Sequence, residues 1–173
     1  MAEGRKFIPP LEIENAQIKW AWSNFGGRKA MYNEEGEHNF QLILDEPLYR
    51  QLKEDGWSVR ESDGPEDGDP SEYLLKVKIS YRFEDPRIYL IKNNRKIKAR
   101  EDDLQDITRT STKQIDVIIK PSFWERNDKV GISAYVDEMY VVMNTSRFAD
   151  AYADYVDVAA SAAPTDFGPP TDA

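Results

Sequence analysis

The chain has 173 residues, a formal charge of -9, 40% hydrophobic and 32% charged side chains, one histidine and no cysteine. That length sustains one compact domain with a tail, and no stretch approaches the roughly 18 apolar residues of a membrane span. The missing cysteine excludes disulfides, thiolate zinc sites and cysteine nucleophiles together, and a polar Met1 to Lys6 without an apolar segment behind it predicts neither secretory signal nor transit peptide, hence a cytoplasmic protein.

Taken from the N-terminus, alternation at period two predicts a strand over residues 11–22, with Trp20 and Trp22 on one face. Phe25 then leads into Gly26-Gly27, followed by Arg28, Lys29 and Tyr32. Aromatics beside a glycine-hinged loop with two cations reproduce the stacking-plus-phosphate pairing that single-stranded nucleic acid requires, each stacked base contributing about 1 to 3 kcal/mol. Both tryptophans filling the core is the competing reading. The Gly-Gly pair matches neither a Walker nor a Rossmann phosphate loop, so no nucleotide cofactor is expected.

A strand over 37–44 follows, on which His38 alternates with Phe40, Leu42 and Leu44, the position of a structural histidine and not of a general base. Asp45 as N-cap, Pro47 in the first turn, Leu48 and Leu52 one turn apart and Gly56 as terminator predict a helix. After a strand over 57–61, the loop 63–70 invites a calcium reading that fails on spacing: with Asp63 first, Pro65 stands at the third loop position and Leu74 at the twelfth.

The segment 73–83 is the most informative. Tyr73, Leu75, Val77, Ile79, Tyr81 and Phe83 share one face, and Lys76, Lys78, Ser80 and Arg82 share the other, giving a core face and a cationic stripe. Arg87 and Tyr89 continue the stripe on a strand over 87–92, with Ile88 and Leu90 inward. Asn93-Asn94 suits a tight turn into a strand over 95–98. A short acid-rich helix is predicted over 100–107; its Glu101, Asp102, Asp103 and Asp106 have the chemistry of a nuclease metal site, but acids at a helix start are what the helix dipole favours, and no metal is expected. Strands over 112–120 and 130–143 and a helical turn over 146–155 complete a domain of residues 1–155. Residues 156–173, rich in Ala, Pro, Thr and Gly, are expected to be a disordered acidic tail.

Charge is segregated along the chain. From Lys76 to Arg100 there are nine basic side chains, Arg95, Lys96, Lys98 and Arg100 among them, against two acids, a local +7 that leaves -16 for the rest. Such a run is either a binding face on a repulsive body or a solvated hairpin guarding a sheet edge.

In order and spacing, Asn39-Phe40-Gln41-Leu42-Ile43-Leu44-Asp45, Gly56-Trp57-Ser58-Val59-Arg60, Pro86-Arg87-Ile88-Tyr89-Leu90-Ile91, Ile115 to Pro121 with Trp124, and Gly131 to Val141 resemble the single-stranded DNA-binding proteins of bacteriophages. The resemblance implies a mainly β fold, an OB-like five-stranded barrel with extra hairpin strands and two or three short helices. It implies a non-enzymatic protein that coats single strands without sequence preference during phage replication and recombination in an infected bacterial cell. It further implies a tail, here with Asp166, Phe167 and Asp172, that recruits replication or recombination proteins. A homodimer is left open. The expected DNA-binding set is Trp20, Trp22, Phe25, Arg28, Lys29, Tyr32, Lys76, Lys78, Arg82, Arg87, Tyr89, Arg95, Lys96, Lys98 and Arg100. The rival reading is a protein-interaction module acting through its acidic surface.

Overall fold

The computed structural model describes residues 7–31, 33–63, 68, 70–144, 148, 152 and 155, so Tyr32, most of the loop 63–70 and the tail residues Asp166, Phe167 and Asp172 lie outside the described residues. In chain order the elements are β1 (Leu11–Ile13), β2 (Gln17–Ile18), β3 (His38–Leu44), α1 (Glu46–Asp55), β4 (Val59–Ser62), β5 (Glu72–Ile79), β6 (Arg87–Lys92), β7 (Arg95–Lys98), α2 (Gln105–Arg109), β8 (Thr112–Arg126) and β9 (Lys129–Met143).

The expected strand over 11–22 is broken into three pieces. Asn15 takes a φ of 50°, and its N–H donates to Asp116 Oδ1 at 2.8 Å, so the chain swings from pairing with β8 to pairing with β3. Trp20–Trp22 then wind into a 3-10 turn, and the two indoles do not lie on a strand face.

The sheet runs in the order β1-β8-β9-β5-β3-β2. Its two ends are therefore halves of one segment, residues 11–18. The β5 and β9 pairing is parallel and the other neighbours on this path are antiparallel, which is the strand order of a five-stranded OB-like barrel left open at the seam beside Asn15. The 3-10 turn Glu101–Leu104 with α2 follows the third barrel strand, where the simplest barrel has its helix, and α1 is the added one. Helix α1 is capped as its sequence predicts: Leu48 N–H donates to Asp45 Oδ1 at 2.9 Å, and Gly56 closes it at a φ of 102°.

The interior is filled by Phe25, Phe40, Leu42, Leu75, Val77, Ile88, Leu104, Ile107, Ile119 and Met139, all sealed from solvent. Phe25, expected to contact DNA, is instead fully buried and stacks on Phe40 with centroids 5.0 Å apart. Such a pair adds about 0.5 to 1.5 kcal/mol beyond the area it buries, so Phe25 anchors the glycine loop from beneath.

Strand β5 ends at Ile79 and not at residue 83. The chain leaves the sheet there and returns as β6 along the same neighbour, β9. Tyr81 still packs on the core, its hydroxyl donating to Ala99 O at 3.3 Å, but Phe83 is 95% exposed and has no place on the inward face.

Strand β8 runs past Pro121 to Arg126. Beyond Ile119 it has no neighbour on the β1 side, so a residue without an N–H interrupts no ladder there. One irregularity matters more: Ile118 faces Glu138 and Ile119 faces Val136, leaving Asp137 as an extra residue in β9. Before it Ile132, Ala134 and Val136 point inward, and after it Met139, Val141 and Met143 do. Tyr152 N–H donates to Phe148 O at 3.0 Å; most of the helical turn expected over 146–155 lies outside the described residues.

Candidate nucleic-acid interface

Residues paired across a sheet point to the same side. Lys78 is paired with Asn39 on one neighbour and Tyr135 on the other, Lys76 with Gln41, and Tyr135 in turn with Lys120. Two steps along the β8–β9 arm, Trp124 is paired with Gly131. The outward face of the barrel therefore carries one row of groups from β3 to the arm: Gln41, Lys76, Lys78, Tyr135, Lys120 and Trp124. Lys78 Nζ lies 5.7 Å from the Tyr135 ring centre, within cation–π range. Lys76, Lys78 and Lys120 pair with no carboxylate among the described residues.

At one end of the row stands the 3-10 turn. It is tied to β3 because Lys19 N–H donates to Gln41 O at 2.9 Å, and Gln41 N–H donates to Ser23 Oγ at 2.9 Å. Trp22 is 45% exposed, with Lys19 Nζ 4.3 Å and Arg60 Cζ 5.1 Å from its ring. Lys19 is held there by Glu72 at 2.5 Å. Trp20, 42% exposed, leans on Phe25 at 5.5 Å and shows solvent only part of its ring. At the other end Trp124 lies flat on Gly131, where an added Cβ would stand 2.4 Å from the indole.

Two adjoining hollows follow the row. One, of about 570 Å³, is lined by Trp22, Met31, Gln41, Arg60 and Lys76; the other, of about 440 Å³, by Lys78, Tyr81, Arg82, Glu101 and Tyr135. They share Asn39 and Lys76, so they form one groove. His38 closes the groove floor: its Nδ1 is 2.7 Å from Phe25 O and its Nε2 3.0 Å from Glu101 Oε2. Gly27, at a φ of 68°, must be glycine because a Cβ would lie 2.7 Å from the His38 ring. The histidine is thus structural, as its alternation predicts.

The expected site residues divide. Trp22, Lys76, Lys78 and Arg82 line the groove; Trp20 stands on the same 3-10 turn but does not line it, and Arg28 and Lys29 are exposed on the loop after Gly27. Arg87, Tyr89, Lys96 and Lys98 form a second cluster around the barrel, on β6 and β7. There Tyr89 stacks on Tyr140 at 5.2 Å, and Lys96 Nζ lies 5.1 Å from the Tyr89 ring. Arg87 faces Asp137 and Glu138 at 3.2 and 3.5 Å, Arg95 donates to Tyr155 O at 3.2 Å, and Arg100 lies 3.9 Å from Asp103. The sequence reading missed Lys19, Gln41, Arg60, Lys120, Trp124 and Tyr135. Strict alternation past Ser133 was the available signal for Tyr135; nothing local marked Arg60, which reaches Trp22 across the fold.

The sequence profile of the phage ssDNA-binding domain matches residues 3–168. The chain belongs to that family. Its fold is similar to the single-stranded DNA-binding protein of bacteriophage Enc34 in complex with ssDNA, with a TM-score of 0.51 at 9% identity over 81% of this chain and 89% of that one. It is likewise similar to a C-terminal truncation of the Enc34 protein, with a TM-score of 0.50 at 9% identity over 80% and 87%. No curated protein matches by sequence. Among the described residues of this phage ssDNA-binding domain, no helix is long and apolar enough to cross a membrane, and no group of three or more His, Asp or Glu side chains is arranged to hold a metal ion.

Proposed function

We propose that single-stranded DNA lies in the groove between the Trp22 turn and the β8–β9 arm, its bases stacked on Trp22, Tyr135 and Trp124. Lys76, Lys78, Lys120, Arg60 and Arg82 take the phosphates. The observation that carries this reading is the row of cations without acid partners among the described residues, interleaved with aromatics, on the outward face of a barrel in a chain whose total charge is -9. Such a face attracts a polyanion only where positive charge is local, and every base offers a ring to stack, so binding tolerates any sequence. The Tyr89, Lys96 and Lys98 cluster extends the path around the barrel. The protein works by coverage without catalysis, in the cytoplasm of the infected cell during replication and recombination, and its tail carries the contacts to partner proteins.

Titrating oligothymidine while following tryptophan emission tests the site. Quenching in the wild type, reduced in Trp22→Ala to what Trp124 contributes and weak with duplex DNA, is the expected result. Equal affinity for duplex, or quenching untouched by Trp22→Ala, would place the interface elsewhere and favour the acidic-surface module.

A further inference from the structure

Gln41 is 8% exposed, yet it stands on the outward face of β3 and not in the core, at the floor of the groove beside Trp22, Arg60 and Lys76. Its Oε1 is buried and accepts no hydrogen bond from any described residue. The Ser23 hydroxyl is engaged: it donates to Lys19 O at 2.8 Å and accepts from Gln41 N–H. A buried acceptor left empty destabilises the free protein, and native structures keep such a group where something else satisfies it. What satisfies it must bring a donor. A DNA sugar-phosphate backbone has none, whereas every base has an N–H, which for thymine is N3–H alone.

From this we infer that Gln41 reads the base stacked on Trp22, its Oε1 accepting an N–H from that base's pairing edge. The inference rests on the groove being the DNA site. It separates a stacking contribution, blind to base identity, from a hydrogen bond that requires an unpaired base edge. Duplex DNA engages the N3–H groups in pairing and keeps free amino N–H groups only along its groove edges, so a paired thymine has no donor for Gln41. The groove then disfavours duplex thymine chemically as well as duplex by shape.

The test is a cycle of two proteins and two oligomers: wild type and Gln41→Met, each with oligothymidine and with the same oligomer built from N3-methylthymidine, which stacks but lacks the donor. The wild type is expected to bind the methylated oligomer about tenfold more weakly. Gln41→Met is expected to lose a similar factor on oligothymidine and to show no further loss on methylation. Full discrimination surviving in Gln41→Met would overturn the inference, as would a wild type indifferent to the methyl group. The free variant should melt at or above the wild-type temperature, because it removes an unsatisfied acceptor; a lower melting temperature would show that Gln41 is structural and also overturn it. Failure of the underlying site has a different signature: Trp22→Ala then leaves affinity for both oligomers unchanged.

Discussion

Lys76 and Lys78 oppose Leu75, Val77 and Ile79 across the pleat of β5, and burial of those three fixes the lysines outward. That assignment was legible in the sequence because period-two alternation over six residues admits only two phases, and the apolar phase must face the core. Reversing both charges with Lys76→Glu and Lys78→Glu is therefore expected to abolish oligothymidine binding while changing stability by less than about 0.5 kcal/mol. Circular dichroism melting and binding on one preparation separate the two effects, and loss of folding would mean that the lysines support the sheet. Phe25 was not legible in the same way. One aromatic beside two glycines reads equally as a stacker or an anchor, and only the ring of Phe40 beneath it decides. Tyr81 makes a prediction of its own. Burial, and then the negative charge of Asp85, Glu101 and Asp103, push its phenol from 10.0 up to about 12. The folded chain holds this proton at pH values where the unfolded chain releases it, so the associated stability is intact below pH 10 and is lost as the pH rises through about 12. Tyr81→Phe should flatten that alkaline decline in thermal melts; an unchanged decline would assign it to other groups.

Among the elements, helix α1 and the β6–β7 hairpin were readable to within a residue or two, because caps and the left-handed pair Asn93-Asn94 act locally. The β8–β9 arm was not. Pro121 argues against a strand unless one knows that its flank is free, and that knowledge comes only from where β1 stops pairing. The arm makes its own prediction. Gly131→Ala would set a Cβ 2.4 Å from Trp124 Cζ2, so the indole must lift off the backbone while Trp57, buried at the arm's base, stays in place. Altered exposed-tryptophan emission and weaker single-strand binding are expected, by up to the roughly 1 to 3 kcal/mol of one stacked base. Unaltered binding would remove Trp124 from the interface.

For the molecule as a whole, the sequence showed a basic middle on an acidic chain but not how the middle is divided, since the +7 run between Lys76 and Arg100 is cut by the excursion after Ile79. Part of it lines the groove and part lies around the barrel. Two bulk measurements address the field this creates. Log affinity for single strands should fall with log salt at about -0.7 per phosphate contacted, and a flat line would rule out phosphate contacts. Truncation after Tyr155 removes Asp157, Asp166, Asp172 and no cation, so binding at low salt should strengthen; unchanged affinity would make the tail electrostatically inert. The extra residue at Asp137 has a consequence of another kind. It acts as a phase shifter: Tyr135 and Tyr140, an odd number of positions apart, both look outward, so the groove and the second aromatic cluster sit on the same side of one strand. Deleting that single residue would restore strict alternation and oblige one half of β9 to turn inside out, setting the hydrophobic interior against one aromatic cluster or the other. Length is thus as strongly specified as composition at this point in the chain, and a one-residue deletion there should be tolerated far less well than one at the exposed Glu84 between β5 and β6.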